Sequence, residues 1–381
     1  MSRGNSNSSN SGGGSHCYHF VFLLLTVSLL SPSASARFFP NVTSIPHDDF
    51  LFNATKTAWD AFRNLSGCHH GQTLDGLAKL KQYFNQFGYL PPPPANFTDD
   101  FDDSLESAIK TYQHNFNLNV TGQLDPHTLQ LIQRPRCGNA DIVNGSTSMN
   151  SGKAPTPFHT VAHYEFFPGR PRWTKSLLTY AFLPENQLTD DAKGVFTRAF
   201  ARWSEVIPLT FQQTEDIYAA DIRIAFFAGD HGDGEPFDGA LGTLGHAFSP
   251  PSGRLHLDGD ESWVVTGDVT RSSLETAVDL ESVAVHEIGH LLGLGHSSVE
   301  EAIMFPTLSS RTKKVILASD DIEGVQQLYG SNPNYSGSSS TPSPPTAGQR
   351  ETSGAPLGGD STLGLTLLSM FVTVGSVLIL L

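Results

Sequence analysis

Cysteine is scarce in this 381-residue chain, with Cys17, Cys68 and Cys137 the full set. Three thiols cannot build the dense disulfide framework that staples small secreted domains. Basic residues are few as well: 23 Lys and Arg stand against 38 Asp and Glu, a formal net charge of -15. A phosphate backbone needs a basic face, so nucleic acid is excluded as a partner class. The carboxylates suit hard cations such as calcium instead. The length admits two or three domains.

Long apolar runs are confined to the two ends. Residues 20–30 form a run too short to span a bilayer, and Ala34-Ser35-Ala36 follows it. Residues 1–36 therefore read as a secretory signal peptide. At the other end, residues 361–381 carry no charge, and no Lys or Arg follows them. A single-pass anchor needs a basic cytosolic flank. Behind a Ser, Pro and Gly linker over 331–360, this tail reads as the removable signal for a GPI anchor on the extracellular side. The attachment window is Ser353-Gly354-Ala355, with Ser353 taken as the residue; an uncleaved membrane helix is the alternative. Seven N-x-S/T sequons fit the same secretory route: Asn41, Asn53, Asn64, Asn96, Asn119, Asn144 and Asn334.

The most informative stretch is His286-Glu287-Ile288-Gly289-His290-Leu291-Leu292-Gly293-Leu294-Gly295-His296. On a helix, His286 and His290 share a face one turn apart, so both can hold one metal ion. Gly293 can take a positive φ, end the helix and return the chain, which brings His296 to the same ion. Three protein ligands leave a fourth position for water, the arrangement of a catalytic zinc. Glu287 sits beside the metal without pointing at it, placed to act as a base. Met304 follows shortly after, as a packing platform below the site.

Upstream, residues 50–89 read as helical, with Leu74, Leu77, Leu80 and Phe84 on one face. Asp102, Asp103 and Ser104 can cap a second helix over 105–116, and Asp125-Pro126 opens a third through Ile132. Then comes Pro135-Arg136-Cys137-Gly138-Asn139-Ala140-Asp141. Cys137 is either a soft thiolate ligand that fills the open zinc position or half of a disulfide with Cys68. Residues 144–157 form an exposed linker suited to proteolytic cutting. Beyond them, strands over 177–183, 209–213 and 221–227 mix with a long helix capped at Thr189 or Asp190. No regular βαβ repetition appears, so the class is α+β. A ligand-dense loop adds His231, Asp233, His246 and His256, a closed tetrahedral set. Ser319, Asp320 and Asp321 cap a last helix.

The extended His-Glu-x-x-His motif with its following methionine resembles the metzincins, and Arg136-Cys137-Gly138 through Asp141 resembles the cysteine switch of matrix metalloproteinases. The resemblance covers about residues 64–330. It is plant-type, because no hemopexin propeller follows. It implies a twisted, mostly parallel five-stranded sheet with three helices over 158–330, preceded by a three-helix peptidoglycan-binding-like prodomain over 37–157. It implies that Cys137 caps the zinc in a zymogen, with Arg136 and Asp141 pairing to fix the segment, and that His231, Asp233, His246 and His256 hold a structural zinc. Asp238, Asp258 and Glu261, with the carbonyls of Gly239, Leu241 and Thr243, match a calcium loop. Asp221 matches a ligand of a second calcium, although the loop over 250–255 is short for one. An acid at 320 or 321 pairs with the mature N-terminus. The expected activity is that of a monomeric zinc endopeptidase acting on extracellular proteins, with Glu287 as general base and a bulky apolar residue preferred after the scissile bond. The alternative is a cell-wall glycan-binding protein with a vestigial protease domain.

Overall fold

In a computed structural model of the chain, residues 59–93, 95–147, 149 and 164–336 are described. The signal peptide, Asn41, Asn53, Ser353 and the C-terminal tail lie outside them. No helix among the described residues is long and apolar enough to cross a membrane. Asn64, Asn96, Asn119, Asn144 and Asn334 are all exposed.

The N-terminal module is built on α1 (Leu77–Gln86), α2 (Asp103–Asn115) and α3 (Pro126–Ile132). The single helix expected over 50–89 does not form in its described part. A 3-10 turn, Asp60–Leu65, is followed by a loop, and α1 starts only after Gly76, whose φ of 102° no helix accommodates. Asp99 Oδ1 accepts from the amides of Gly76 and Ala78, supplying the start signal from another part of the chain. Leu74 therefore lies outside the helix and is exposed. The other two helices begin where Asp102 and Asp125 cap them, each accepting an amide of the first turn. Trp59, Phe62, Tyr83, Phe84 and Tyr112 fill the core between these elements, together with Cys68. Cys68 and Cys137 are both free thiols, so the disulfide alternative does not hold.

After α3 the chain enters β1 (Arg136–Cys137) and then a hairpin, β2 (Ile142–Val143) with β3 (Ser146–Thr147). The start of the expected linker is thus ordered. Asn144-Gly145, both at positive φ, is the two-residue turn that favours a hairpin.

The second module contains β4 (Leu177–Phe182), α4 (Asp190–Val206), β5 (Thr210–Gln213), β6 (Ile222–Phe227), β7 (Thr243–Ala247) and β8 (Arg254–Asp258). A short parallel pair follows, β9 (Ser262–Val264) with β10 (Ala277–Asp279), and then α5 (Leu280–Leu291) and α6 (Ser319–Tyr329). The sheet runs β1-β7-β8-β6-β4-β5. All its neighbours are parallel except β7 and β8. The five expected strands are present. The sixth, β1, belongs to the N-terminal module and pairs with the edge strand β7. Thr189 caps α4, whose apolar stripe of Val195, Phe196, Ala199, Phe200 and Trp203 is buried.

Helix α5 is buried along its whole length, which its apolar composition allows. Its N-cap Asp279 accepts from the Ser282 amide. It ends at Gly293 with φ 102°, where a Cβ would meet the Pro171 carbonyl oxygen at 2.2 Å. Inside the helix, a Cβ on Gly289 would lie 2.2 Å from the Met304 sulfur and 3.1 Å from the Trp203 ring. Gly289→Ala is expected to destabilise the chain by about 1–3 kcal/mol through overpacking, read as a lowered urea midpoint at unchanged m-value.

Candidate metal centre

Four donors from three segments converge below the edge strand: Cys137 from β1, His286 and His290 from α5, and His296 from the loop that Gly293 turns back. Their ligand atoms all lie within 4.8 Å of one another, and all four residues are buried. The Cys137 sulfur is 3.3 Å from His290 Nε2, which is 3.2 Å from His296 Nε2. Ligands at zinc distances on a tetrahedron have edges of about 3.3 Å between nitrogens and about 3.5 Å from sulfur to nitrogen. His286 Nε2 is buried with no hydrogen-bond partner. A buried nitrogen left unpaired and facing other donors is what a cation would satisfy. The residues present fit a zinc ion.

Each imidazole is turned by its other nitrogen. His286 Nδ1 donates to the Ile303 carbonyl at 2.7 Å, and His290 Nδ1 to the Leu294 carbonyl at 2.8 Å. His296 Nδ1 lies 2.8 Å from Asp141 Oδ1. These bonds leave Nε2 as the lone-pair atom on all three rings. Burial, and then mutual repulsion, lowers the pKa of His286 and of His290, so both stay neutral as ligands must.

Glu287 follows the first ligand and is fully buried. Burial pushes its carboxyl up to about 8, partly offset by the Cys137 thiol facing it. Neither of its oxygens makes a hydrogen bond of ordinary geometry. Burial and then Glu287 hold the Cys137 thiol far above its usual range. A sulfur in this position becomes a thiolate only with a cation beside it.

The segment over 135–141 is threaded between two strands of backbone. Arg136 N donates to the Gly242 carbonyl and Gly138 N to that of Gly245, while Cys137 N donates to Pro306 and Leu308 N to Pro135. Asn139, which sequence reasoning passed over, exchanges two bonds with the Ala247 backbone. Arg136 and Asp141 form a fully buried ion pair at 2.7 Å. The guanidinium stacks 3.5 Å from the Phe87 ring centre. Burial would raise the Asp141 carboxyl, but Arg136 and His296 win and hold it down to about 2.

A second cluster gathers His231, Asp233, His246 and His256. Asp233 Oδ2 lies 2.9, 2.9 and 2.8 Å from the facing nitrogens of the three imidazoles, and His256 Nδ1 is 3.2 Å from each of the other two. The nitrogen–nitrogen spacings are tetrahedral edges for zinc, and the oxygen–nitrogen spacings are shorter than such an edge. Burial drives the His256 pKa down to about 3. Nearby, Asp238, Asp258 and Glu261 accept from the amides of Thr243, Gly239 and Leu241. Burial, with mutual repulsion, raises Asp258 to about 7 and Glu261 to about 9. Asp221 is taken up by the Lys175 ammonium and by Thr179, so a cation there would have to displace Lys175.

Met304 is buried against α5, and its position is fixed by a residue the sequence did not single out for this. Asp321 accepts from the amides of Ile303, Met304 and Ala318 at 2.8, 3.0 and 2.8 Å. It thus caps α6 and holds the methionine turn at once. Asp320 instead bonds Ser297 Oγ and adds to the negative field at Tyr164.

A helix bearing His-Glu-x-x-His, a third imidazole on the returning loop and a mostly parallel sheet above them define a metal-dependent peptidase. Residues 172–330 match the Matrixin family of peptidases, and residues 73–132 match the putative peptidoglycan binding domain family. The chain belongs to the matrixins, the matrix metalloproteinases, and is a zinc metalloendopeptidase. It is 55% identical over 373 residues to Metalloendoproteinase 2-MMP of Arabidopsis thaliana, covering 94% of this chain and 98% of that one. With Metalloendoproteinase 5-MMP of the same plant it shares 59% over 329 residues, 84% of this chain and 90% of that one. Mouse Stromelysin-1 is 37% identical over 266 residues, 67% of this chain and 49% of that one.

Replacing Asp321 with Ala leaves its amide partners at Ile303, Met304 and Ala318 without an acceptor. The expected cost is about 2–4 kcal/mol, measured as a lower thermal midpoint of the zinc-loaded protein.

Proposed function

We propose that the chain is a secreted endopeptidase held latent by its own N-terminal module, with Cys137 in the position water must occupy. The observation that carries this reading is the convergence of the Cys137 sulfur with three imidazole nitrogens in one buried point. When bound by His286, His290 and His296, zinc supplies a Lewis acid that lowers the pKa of a water and polarises the scissile carbonyl. Glu287 is the general base. It takes the proton of that water and passes it to the leaving amine. The cavity beside Glu287, lined by Leu244, Val283, Pro306 and Leu308, supports a bulky apolar residue after the scissile bond.

The second cluster, in this reading, is a structural zinc closed by four protein ligands. Asp238, Asp258 and Glu261, whose carboxyls burial pushes up and of which Asp238 repels the other two, take a calcium ion that relieves this cost. Once the module is cut away, the new N-terminus near Tyr164 pairs with Asp320, since Asp321 is spent on three amides. The exposed sequons, the signal peptide and the C-terminal tail support a glycosylated, GPI-anchored protein outside the cell, acting as a monomer on extracellular proteins. Glycan binding by the N-terminal module is the weaker reading. Phe116 packs edge-on against Phe305, and Arg134 pairs with Glu300, so that face of the module covers the catalytic domain.

The test is peptide cleavage before and after removal of the module, with metal counted per chain. The wild-type protein is expected to gain activity on removal and to hold about two zinc ions. Glu287→Ala is expected to keep the zinc and lose turnover by at least 10²-fold. A cut Glu287→Ala protein that cleaves normally would contradict the assignment of the base.

A further inference from the structure

Two of the three imidazoles are oriented by the domain that owns them. His286 and His290 donate Nδ1–H to the carbonyls of Ile303 and Leu294, which belong to the same domain as the rings. His296 is different. Its acceptor, Asp141 Oδ1 at 2.8 Å, sits 155 positions earlier in the chain, on the same segment as Cys137. The His296 and Asp141 side chains are 1% and 0% exposed, so water does not compete for the bond. The same Oδ1 accepts from Arg136 Nη2 at 2.7 Å, and Oδ2 accepts from the Tyr89 hydroxyl at 2.9 Å. Arg136 and Tyr89 thereby keep a charged carboxylate in place where an isolated one would be strongly disfavoured.

We infer that Asp141 is a positioning residue for the third zinc ligand of the latent form, so that one short segment holds the metal twice: directly through Cys137 and indirectly through Asp141 acting on His296. This rests on the reading that Cys137 and the three imidazoles share one zinc. A carboxylate acceptor fixes the ring tautomer and its orientation and makes the imidazole a stronger donor than a carbonyl acceptor does. Loss of the segment therefore does more than open a coordination position. It also removes the carboxylate that accepts from His296 Nδ1. The zinc of the cut enzyme is held less tightly and by a weaker donor set. The Arg136–Asp141 pair acquires a second purpose here, since the guanidinium maintains the charge that His296 uses.

Two measurements test this, neither of them activity. The first uses the unaltered zinc-loaded protein and long-range ¹H–¹⁵N correlation of its histidine rings. His296 is expected to carry its proton on Nδ1, with a resonance further downfield than those of His286 and His290. Removal of the module is expected to shift that resonance upfield by more than the other two, which respond only to the exchange of sulfur for water at the metal. A His296 proton on Nε2, or a resonance that removal moves no more than the other two, overturns the inference. The second follows zinc transfer from the latent protein to a chelator. Asp141→Asn is expected to release zinc 10–100-fold faster. Tyr89→Phe, which removes one hydrogen bond to Asp141 Oδ2 but keeps Arg136 and the carboxylate on His296, should change the rate by no more than a few-fold. Equal rates for Asp141→Asn and wild type, or equal acceleration by both variants, assign Asp141 a structural role only. Cobalt in place of zinc separates this from the reading beneath it. A latent protein without a thiolate-to-cobalt charge-transfer band refutes Cys137 as a ligand, whereas the ring-proton result refutes Asp141 alone. If a variant does not fold, the wild-type spectrum still decides.

Discussion

Three imidazole lone pairs and a sulfur pointed at one another in a dry site are unfavourable unless a cation lies between them. The rest of the molecule can be understood as the scaffold that enforces this arrangement. His286 and His290 come from a helix buried on all sides, whose spacing leaves little freedom. His296 depends on Gly293, because the turn that returns it passes within contact distance of Pro171. Below them Met304 fits only because position 289 has no side chain, and Asp321 ties the methionine turn to the start of α6. The carbonyls that orient His286 and His290 belong to segments fixed by these same contacts.

The N-terminal module adds to the scaffold as a sheet strand. Strand β1 pairs with β7, the outermost strand of the second module, on one side and bonds the 306–308 backbone on the other. That backbone addition aims the sulfur; the buried Arg136–Asp141 pair stiffens the segment from behind. Latency in this account rests on geometry held by many ordinary bonds, with the metal as the point where they meet.

Much of this was legible in the sequence, for physical reasons. Helical spacing placed His286 and His290, and Asp caps marked the starts of α2 and α3. The run from Arg136 to Asp141 announced its sulfur. What the sequence hid were contacts between distant positions. Residues 50–89 looked like one helix because apolar spacing is local, whereas the start of α1 is set by Asp99 and a left-handed Gly76. Asp321 read as an ordinary helix cap, yet its second task binds it to Met304. Asp141 read as a partner for Arg136, and nothing in its neighbours pointed to His296. The Asn144-Gly145 hairpin was the exception, a local signal that a linker-like composition concealed.

The most direct measurement is zinc-edge X-ray absorption on the intact latent protein loaded at the catalytic position alone, with the second cluster disabled by His256→Ala. The account predicts one sulfur at about 2.3 Å beside nitrogen ligands, and its disappearance in favour of nitrogen and oxygen once the N-terminal module is removed. A latent protein whose zinc shows only nitrogen and oxygen neighbours would contradict it.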